Sequence, residues 1–156
     1  MSERALPRAF LVGDYEVRDD KQEIINRLLS DDFHPENQVT LEGKINEKIS
    51  SGSGQVEISK YTPNNVEIEV NHDQPQLLIL SDNYYPGWAA KVDGQKTKIY
   101  RVDYTFRAVF VPDGRHLVEF VYDPAFFKTG LVLSGGAILI LAALNAAALL
   151  KRRNRQ

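Results

Sequence analysis

The sequence of 156 residues contains no cysteine, so neither a disulfide framework nor a thiolate metal site is possible. It also lacks a P-loop, a GxGxxG loop, a GxSxG nucleophile motif and an HExxH zinc motif. No calcium loop of the EF-hand type is present, and calcium binding would require convergence of the scattered residues Asp82, Asn83, Asp93 and Asp103. We therefore identify no catalytic residue in this chain, and we expect no metal and no cofactor.

Charge is absent from residues 131–150, and a tail with four basic residues follows at once. About 20 helical residues rise about 30 Å, which matches the hydrocarbon core of a bilayer. A basic cluster just past such a helix is typical of the cytoplasmic side. We predict a single transmembrane helix over 128–150, a cytoplasmic basic tail over 151–156 and an extracytoplasmic domain over 1–127. The alternative is a hydrophobic helix buried in a soluble core.

The net charge of −2 conceals an asymmetry between the tail and the rest of the chain. Without the tail, 15 basic residues stand against 21 acidic ones, a balance of −6. An acidic domain argues against nucleic acid or anionic lipid as its partner. The expected partner is the lipid bilayer, through the apolar segment.

The N-terminus lacks the apolar stretch and small-residue cleavage site of a secretory signal. A C-terminal helix does not easily direct the preceding domain to the outside, so we expect the chain to be the end of a longer polytopic membrane protein. Gly130 and Ser134 are small residues four apart, a spacing that lets helices approach closely. Asn145 is strongly polar and should face another helix of the parent protein. The alternative is an Ala-rich lone anchor that happens to contain an Asn.

The patterning before residue 128 predicts an antiparallel β-sandwich with one short helix. Residues 1–49 are expected to form a strand–helix–strand segment, with the helix beginning at Asp20, and residues 50–54 a flexible connection. Further along, apolar and polar residues alternate with a period of two, and residues 77–80 are apolar on both faces, as in a central strand. Asp-Gly pairs at 93–94 and 113–114 predict two hairpins.

Several stretches in combination resemble the C-terminal region of the bacterial YfhO family of membrane proteins. They are SDNYYPGW at 81–88, KVDG at 91–94, YRVDYTFRA at 100–108, VPDGRH at 111–116 and FVYDP at 120–124, followed by the apolar helix; ALPRA at 5–9 is similar to the start of that family's domain. The resemblance implies a large polytopic protein of the bacterial cytoplasmic membrane, related to glycosyltransferases that use lipid-linked sugars. The catalytic acid of such enzymes lies in an early extracytoplasmic loop that this sequence does not contain, so no catalytic residue is carried over.

An aromatic cluster is the best candidate for a binding surface. Aromatic rings stack on the apolar faces of sugars, and neighbouring polar groups hydrogen-bond the hydroxyls. The candidate glycan-binding residues are Tyr84, Tyr85, Trp88, Tyr104, Asp82 and Arg101. Two alternatives compete with this interpretation: packing in the sandwich core, and an aromatic belt beside the membrane. Arg101 and Arg107 are also able to hold a lipid pyrophosphate, although solvated ion pairs on a strand face are the commoner outcome.

Our leading interpretation is an accessory or structural module of a polytopic membrane protein that transfers sugar from a lipid carrier to a cell-envelope polymer. The second is a membrane-anchored glycan-binding module with an aromatic platform around Trp88. An enzyme in its own right ranks third.

Overall fold

The structure, a computed structural model, describes residues 5–124 and 129–142. The chain divides into two compact units, Met1–Asp123 and Pro124–Gln156, which are described separately. The first is called the β unit below.

Eleven strands and one helix make up the described part of the β unit, which confirms the mainly-β prediction. The helix is α1 (Lys21–Leu28), and the strands are β1 (Ala9–Val12), β2 (Asp14–Val17), β3 (Gln38–Leu41), β4 (Gly54–Thr62), β5 (Asn65–His72), β6 (Gln76–Asn83), β7 (Trp88–Val92), β8 (Gln95–Thr97), β9 (Tyr100–Val102), β10 (Phe106–Val111) and β11 (Gly114–Tyr122). They form a six-stranded sheet in the order β1-β6-β10-β9-β3-β2 and a five-stranded sheet in the order β4-β5-β11-β7-β8.

Strand β6 is covered on both faces, as its unbroken apolar run predicts. Leu78 and Leu80 lie in the core between the two sheets, with Val109, Val118 and Phe120. Leu77 and Ile79 point the other way, into a second core. That core is completed by Phe10, Val12, Val39, Leu41, Ile45, Tyr100, Val102 and Ala108.

The six-stranded sheet curls strongly around the second core. Its edge strands β1 and β2 are separated in sequence only by Gly13. Six strands laid flat would put these edges about 24 Å apart, whereas Val12 and Asp14 are at most about 7 Å apart. A Cβ atom at Gly13 would lie 2.3 Å from the backbone of Ser51, so glycine permits this close approach.

The prediction of a purely antiparallel sandwich is wrong at one edge, where β2 and β3 pair in parallel. Parallel neighbours require a crossover, and α1 supplies it between them. The predicted helix start is confirmed, since the Asp20 carboxylate accepts hydrogen bonds from the N–H groups of Gln22 and Glu23. Ile24 anchors the helix with a fully buried side chain.

One of the two predicted hairpins is confirmed and the other is wrong. At 93–94, Asp93 (φ 52°) and Gly94 (φ 78°) both have the positive φ of a type I′ turn, and β7 pairs with β8. At 113–114 only Gly114 has a positive φ. There the chain leaves β10 in one sheet and enters β11 in the other. The second Asp-Gly pair therefore marks a crossing between sheets.

Residues 50–54, predicted as a flexible connection, form specific contacts. Ser53 donates to the Asp73 carboxylate from both its N–H and its hydroxyl group, and the N–H of Ser50 donates to the Pro75 carbonyl. A Cβ atom at Gly52 would lie 2.3 Å from the Asp73 carboxylate. The glycines here permit close packing.

In the second unit, residues 129–142 are helical. Within residues 5–124 and 129–142, no helix combines the length and the apolar character needed to cross a membrane. Gly130 and Ser134 lie on the described helix, whereas Asn145 and the rest of the predicted span lie outside the described residues.

Candidate functional site at the exit end of the β unit

The candidate site lies where the chain leaves the β unit, which we call the exit end. The backbone N–H of Tyr122 donates to the Asn64 carbonyl, and that of Asp123 donates to the Gly87 carbonyl, at 2.9 and 2.8 Å. Three chain segments therefore meet here: the 63–64 turn, the 84–87 loop and the end of β11. Gly87 has φ 107°, in the region that favours glycine.

Asp82, at the end of β6, is the centre of a polar network. Its carboxylate accepts hydrogen bonds from Arg8 Nε, Tyr61 Oη and Arg107 Nη2, each at 2.9 Å. The Asp82 side chain is 13% exposed. Three donors therefore converge on one nearly buried carboxylate: one precedes β1, one lies in β4 and one lies in β10.

Arg107 is the buried member of this network, with a side chain that is 2% exposed. Its guanidinium carbon lies 4.0 Å from the Trp88 ring centroid and 5.4 Å from that of Phe120, so the cation is covered by aromatic faces. Burial lowers the pKa of Arg107, and the Asp82 carboxylate opposes this change. Among the described residues, Nε and Nη1 find no hydrogen-bond acceptor. The interpretation of Arg107 as a solvated residue is therefore wrong.

Trp88 is half-buried and belongs to this packed end. Its ring contacts Tyr122 at a centroid distance of 5.4 Å, and Arg107 covers one face. Trp88 also packs against the core between the sheets. Of the six predicted site residues, Trp88 and Asp82 are thus brought together, with Arg107 between them.

Tyr84 and Tyr104 form a second group around Arg101, which lies on β9 beside β10, whereas the Tyr85 carbonyl accepts the Trp88 N–H. Arg101 Nη2 donates to the Glu42 carboxylate, and this hydrogen bond raises the pKa of Arg101, with smaller contributions from Tyr104 and Tyr84. Tyr84 is 38% exposed and Tyr85 is 63% exposed. Tyr104 is half-buried. The tyrosines are on loops and not on an open sheet face, and glycan binding by this group stays a prediction.

Asp103 connects the β9–β10 turn to β3. It is buried and accepts hydrogen bonds from the Thr40 N–H at 2.8 Å and the Thr40 hydroxyl at 3.1 Å. Burial raises the pKa of Asp103, and the two Thr40 hydrogen bonds partly offset this. Asp103 and Tyr104 both have positive φ, at 46° and 68°. Asp103 thus fixes the β9–β10 turn to β3.

The acidic side chains considered for calcium do not converge. Asp93 lies at the opposite end of the β unit, where its carboxylate is 2.6 Å from His116 Nδ1 and accepts the Leu117 N–H. Burial disfavours the His116 cation, but Asp93 and the Asp113 carbonyl outweigh it and raise the pKa of His116. In the part of the chain that the structure describes, no three acidic or histidine side chains are grouped to hold a metal ion.

Sequence reasoning missed Arg8, Tyr61 and Arg107 as partners of Asp82. Arg8 and Tyr61 are 74 and 21 residues from Asp82, and no local pattern connects them. One signal was available: Arg107 alternates with Val109 and Val111, so it lies on the face that packs between the sheets.

Comparison with known proteins agrees with the sequence resemblance. The family model described as bacterial membrane protein YfhO matches residues 31–134. The uncharacterized protein YfhO of Bacillus subtilis (strain 168) is 24% identical over 108 residues, which are 69% of this chain and 12% of that protein. No solved structure matches the chain. Because the family model covers most of the β unit and the first helical residues after it, the chain belongs to the YfhO family of bacterial membrane proteins.

Proposed function

We propose that this chain is the C-terminal extracytoplasmic accessory module of a polytopic protein of the bacterial cytoplasmic membrane. The parent protein would transfer sugar from a lipid carrier to a cell-envelope polymer. The observation that carries the proposal is the extent of the family match, which runs from the β unit into the described helix of residues 129–142. The β unit and the start of the apolar segment are thus matched as one piece of a membrane protein.

Membrane anchoring is supported by the surface of the described helix. Its large apolar side chains are exposed, namely Leu131, Val132, Leu133, Ile138, Leu139, Ile140 and Leu141. The uncharged sequence continues to residue 150, and the basic tail follows. A helix that is apolar on all sides suits lipid or other helices of the parent protein. We infer a transmembrane helix over 128–150, with the β unit outside and the C-terminus in the cytoplasm.

The polar groups of the exit end support a structural role over a catalytic one. Asp82 is held by three donors, Asp103 by Thr40, and Glu42 by Arg101. A catalytic acid needs a pKa matched to proton transfer and access to its substrate. These carboxylates are already committed to positively charged or hydroxyl partners, so the chemical step is assigned to the remainder of the parent protein.

The experiment compares the full-length parent protein with an in-frame deletion of the β unit, both in native membranes. Transfer of labelled sugar from a polyprenyl-phosphate carrier to the envelope polymer is measured. We expect loss of transfer in the deletion, and unchanged transfer in a matched variant with the exposed substitution Arg115→Ala. Full transfer without the β unit, at equal protein levels, would refute an accessory role.

Glycan binding is the second candidate, because the exposed Tyr84 lies near Arg101 of the charged Arg101–Glu42 pair and the exposed Tyr85 follows it in the same loop. The glycan-binding hypothesis predicts that the full-length chain in detergent binds envelope polysaccharide in a pull-down assay. Tyr85→Ala should reduce this binding, whereas Leu117→Ala, which removes an exposed apolar side chain elsewhere, should not. Equal binding by both variants would argue against a tyrosine platform.

A further inference from the structure

Exposed apolar side chains of the β unit are concentrated at its exit end. Among its described residues, seven large apolar side chains are exposed. Leu29 follows α1 and Leu117 lies in the middle of β11. The other five lie at the exit end: Leu6, Val17, Tyr61, Tyr84 and Tyr85.

The positions of Val17, Tyr61 and Tyr84 follow from strand registers and backbone hydrogen bonds. Tyr61 precedes the turn that receives the Tyr122 hydrogen bond. Tyr84 donates its N–H to the Thr105 carbonyl, beside the β9–β10 turn. Val17 pairs with Leu41, which pairs with Val102 at the same end of the curled sheet. Single exposed apolar residues are ordinary on a protein surface, whereas a cluster of them at one end indicates an interaction site.

The loop that carries Tyr84 and Tyr85 is held in place on both sides. Before it, Tyr84 is bonded to Thr105, and after it Trp88 stacks on the buried Arg107. Trp88 also donates its N–H to the Tyr85 carbonyl. The two tyrosines are therefore presented by a fixed turn, which lowers the entropy cost of binding a surface.

The apolar segment follows this surface closely in the sequence. Asp123 is bonded to Gly87, and the uncharged segment begins at residue 131. If that segment is embedded in a bilayer, the chain enters the bilayer within eight residues of this surface.

We propose that the exit end is a docking surface for the membrane interface, with Tyr84 and Tyr85 among the lipid headgroups. The proposal rests on the anchoring part of the proposed function. Tyrosine suits this position because its ring is apolar and its hydroxyl remains in contact with water. The balance of −6 outside the tail disfavours anionic lipid as the occupant. The occupant is therefore a neutral interface such as that of phosphatidylcholine.

The absence of cysteine allows single probes to be placed anywhere in the full chain. Fluorophores are attached to Asn83→Cys at the exit end, Gln95→Cys at the opposite end and Ile138→Cys in the helix. Each protein is reconstituted into phosphatidylcholine vesicles that contain headgroup-spin-labelled and acyl-chain-spin-labelled lipid. We expect headgroup quenching at position 83 to exceed that at 95 by about threefold. Equal quenching at 83 and 95 would overturn the docking surface.

The helix probe separates the two proposals. Acyl-chain quenching at 138 together with equal quenching at 83 and 95 would reject docking and leave the anchor standing. Absence of quenching at 138 would reject the anchor, and docking with it.

A variant tests whether the tyrosines are responsible. In the Asn83→Cys background, Tyr84→Ser with Tyr85→Ser should reduce headgroup quenching to the level at 95. Leu117→Ser, the matched control, should leave it unchanged. An unaltered Trp88 emission spectrum shows that the loop change has not unfolded the β unit. Quenching retained in the double variant would overturn the assignment to Tyr84 and Tyr85.

Discussion

Asp82 and Arg107 illustrate how a buried charge makes one residue depend on another. Removing one partner of a buried pair leaves an uncompensated charge, at a cost of about 3–5 kcal/mol. The two residues are not equivalent, because Arg107 is 2% exposed and Asp82 retains Arg8 and Tyr61 as partners. The loss of unfolding free energy should therefore be larger when the Asp82 carboxylate is removed than when the Arg107 guanidinium is removed.

We predict that Asp82→Ala lowers the free energy of unfolding by about 3 kcal/mol and that Arg107→Met lowers it by less than half as much. Urea unfolding followed by Trp88 fluorescence, with circular dichroism as a second probe, measures both. Arg115→Ala is the control, because its ion pair with Glu69 joins side chains that are 79% and 47% exposed. Ion pairs between exposed side chains contribute little to the free energy of unfolding. An Arg107→Met variant as unstable as Asp82→Ala would contradict the asymmetry.

Asp103 yields a pH prediction. Burial raises its pKa in the folded chain above the ordinary value of 3.8. The stability contribution of a group with a raised folded pKa is fully present below pH 3.8 and is lost as the pH rises through the folded pKa. Ionised Asp103 is therefore a cost at neutral pH.

Asp103→Asn should increase the free energy of unfolding at neutral pH by an amount on the order of 1 kcal/mol. The amide oxygen still accepts from Thr40, and asparagine tolerates the positive φ. Urea unfolding across the acidic range should show this gain shrinking as the pH falls towards the ordinary value. Asp103→Ala, which removes the acceptor, should be destabilising throughout. A gain for Asp103→Asn that does not vary with pH would refute the explanation by burial.

At the scale of elements, the β1–β2 junction determines the shape of the six-stranded sheet. One glycine joins its two edges, and the backbone of Ser51 lies against that glycine. A side chain there must displace backbone, which a packed core resists.

We predict that Gly13→Ala lowers the free energy of unfolding by about 2–3 kcal/mol through overpacking at this junction. Gly43→Ala is the control. Gly43 has φ 84°, with nothing within 4 Å of an added Cβ, so only the backbone preference is lost, at about 1 kcal/mol. Chemical denaturation of both variants gives the comparison. If Gly13→Ala lowers the free energy of unfolding no more than Gly43→Ala does, the close approach at Gly13 does not contribute to stability.

Elements with local signals were predictable from the sequence, and their partners were not. The Asp20 cap fixes the start of α1, and the Asp93-Gly94 turn fixes the β7–β8 hairpin. The second Asp-Gly pair resembles the first in sequence, yet β10 and β11 enter different sheets. A turn motif specifies where a strand ends but not which strand it pairs with, because pairing depends on distant side chains.

The candidate site shows the same limit. The aromatic residues near Trp88 indicated a specific arrangement of side chains in this region. Asp82 and Trp88 do come together, because both contact Arg107. Arg101 pairs instead with Glu42, which is 59 residues away, and Tyr84 and Tyr104 lie near this pair. Pairs this far apart in the sequence leave no local signal, so the partners of Asp82 and of Arg101 emerge only in the folded chain.

At the scale of the whole molecule, a β unit with two cores is followed by an apolar helix within one family match. The matched part is only 12% of the Bacillus subtilis relative. A module of this size that carries apolar side chains at its exit end and on its helix has surfaces suited to lipid or to other helices.

The polar side chain of Asn145 distinguishes an assembled helix from a lone anchor. Asn145 lies outside the described residues, within the uncharged segment of residues 131–150. An amide in hydrocarbon seeks a partner on a neighbouring helix, and such a bond contributes about 1 kcal/mol. Asn145→Leu should therefore weaken association with the other helices of the parent protein by about fivefold. A bacterial membrane two-hybrid assay at matched expression measures this, with Ile140→Leu as the apolar control. Unchanged association in Asn145→Leu would indicate that the helix acts as a lone anchor.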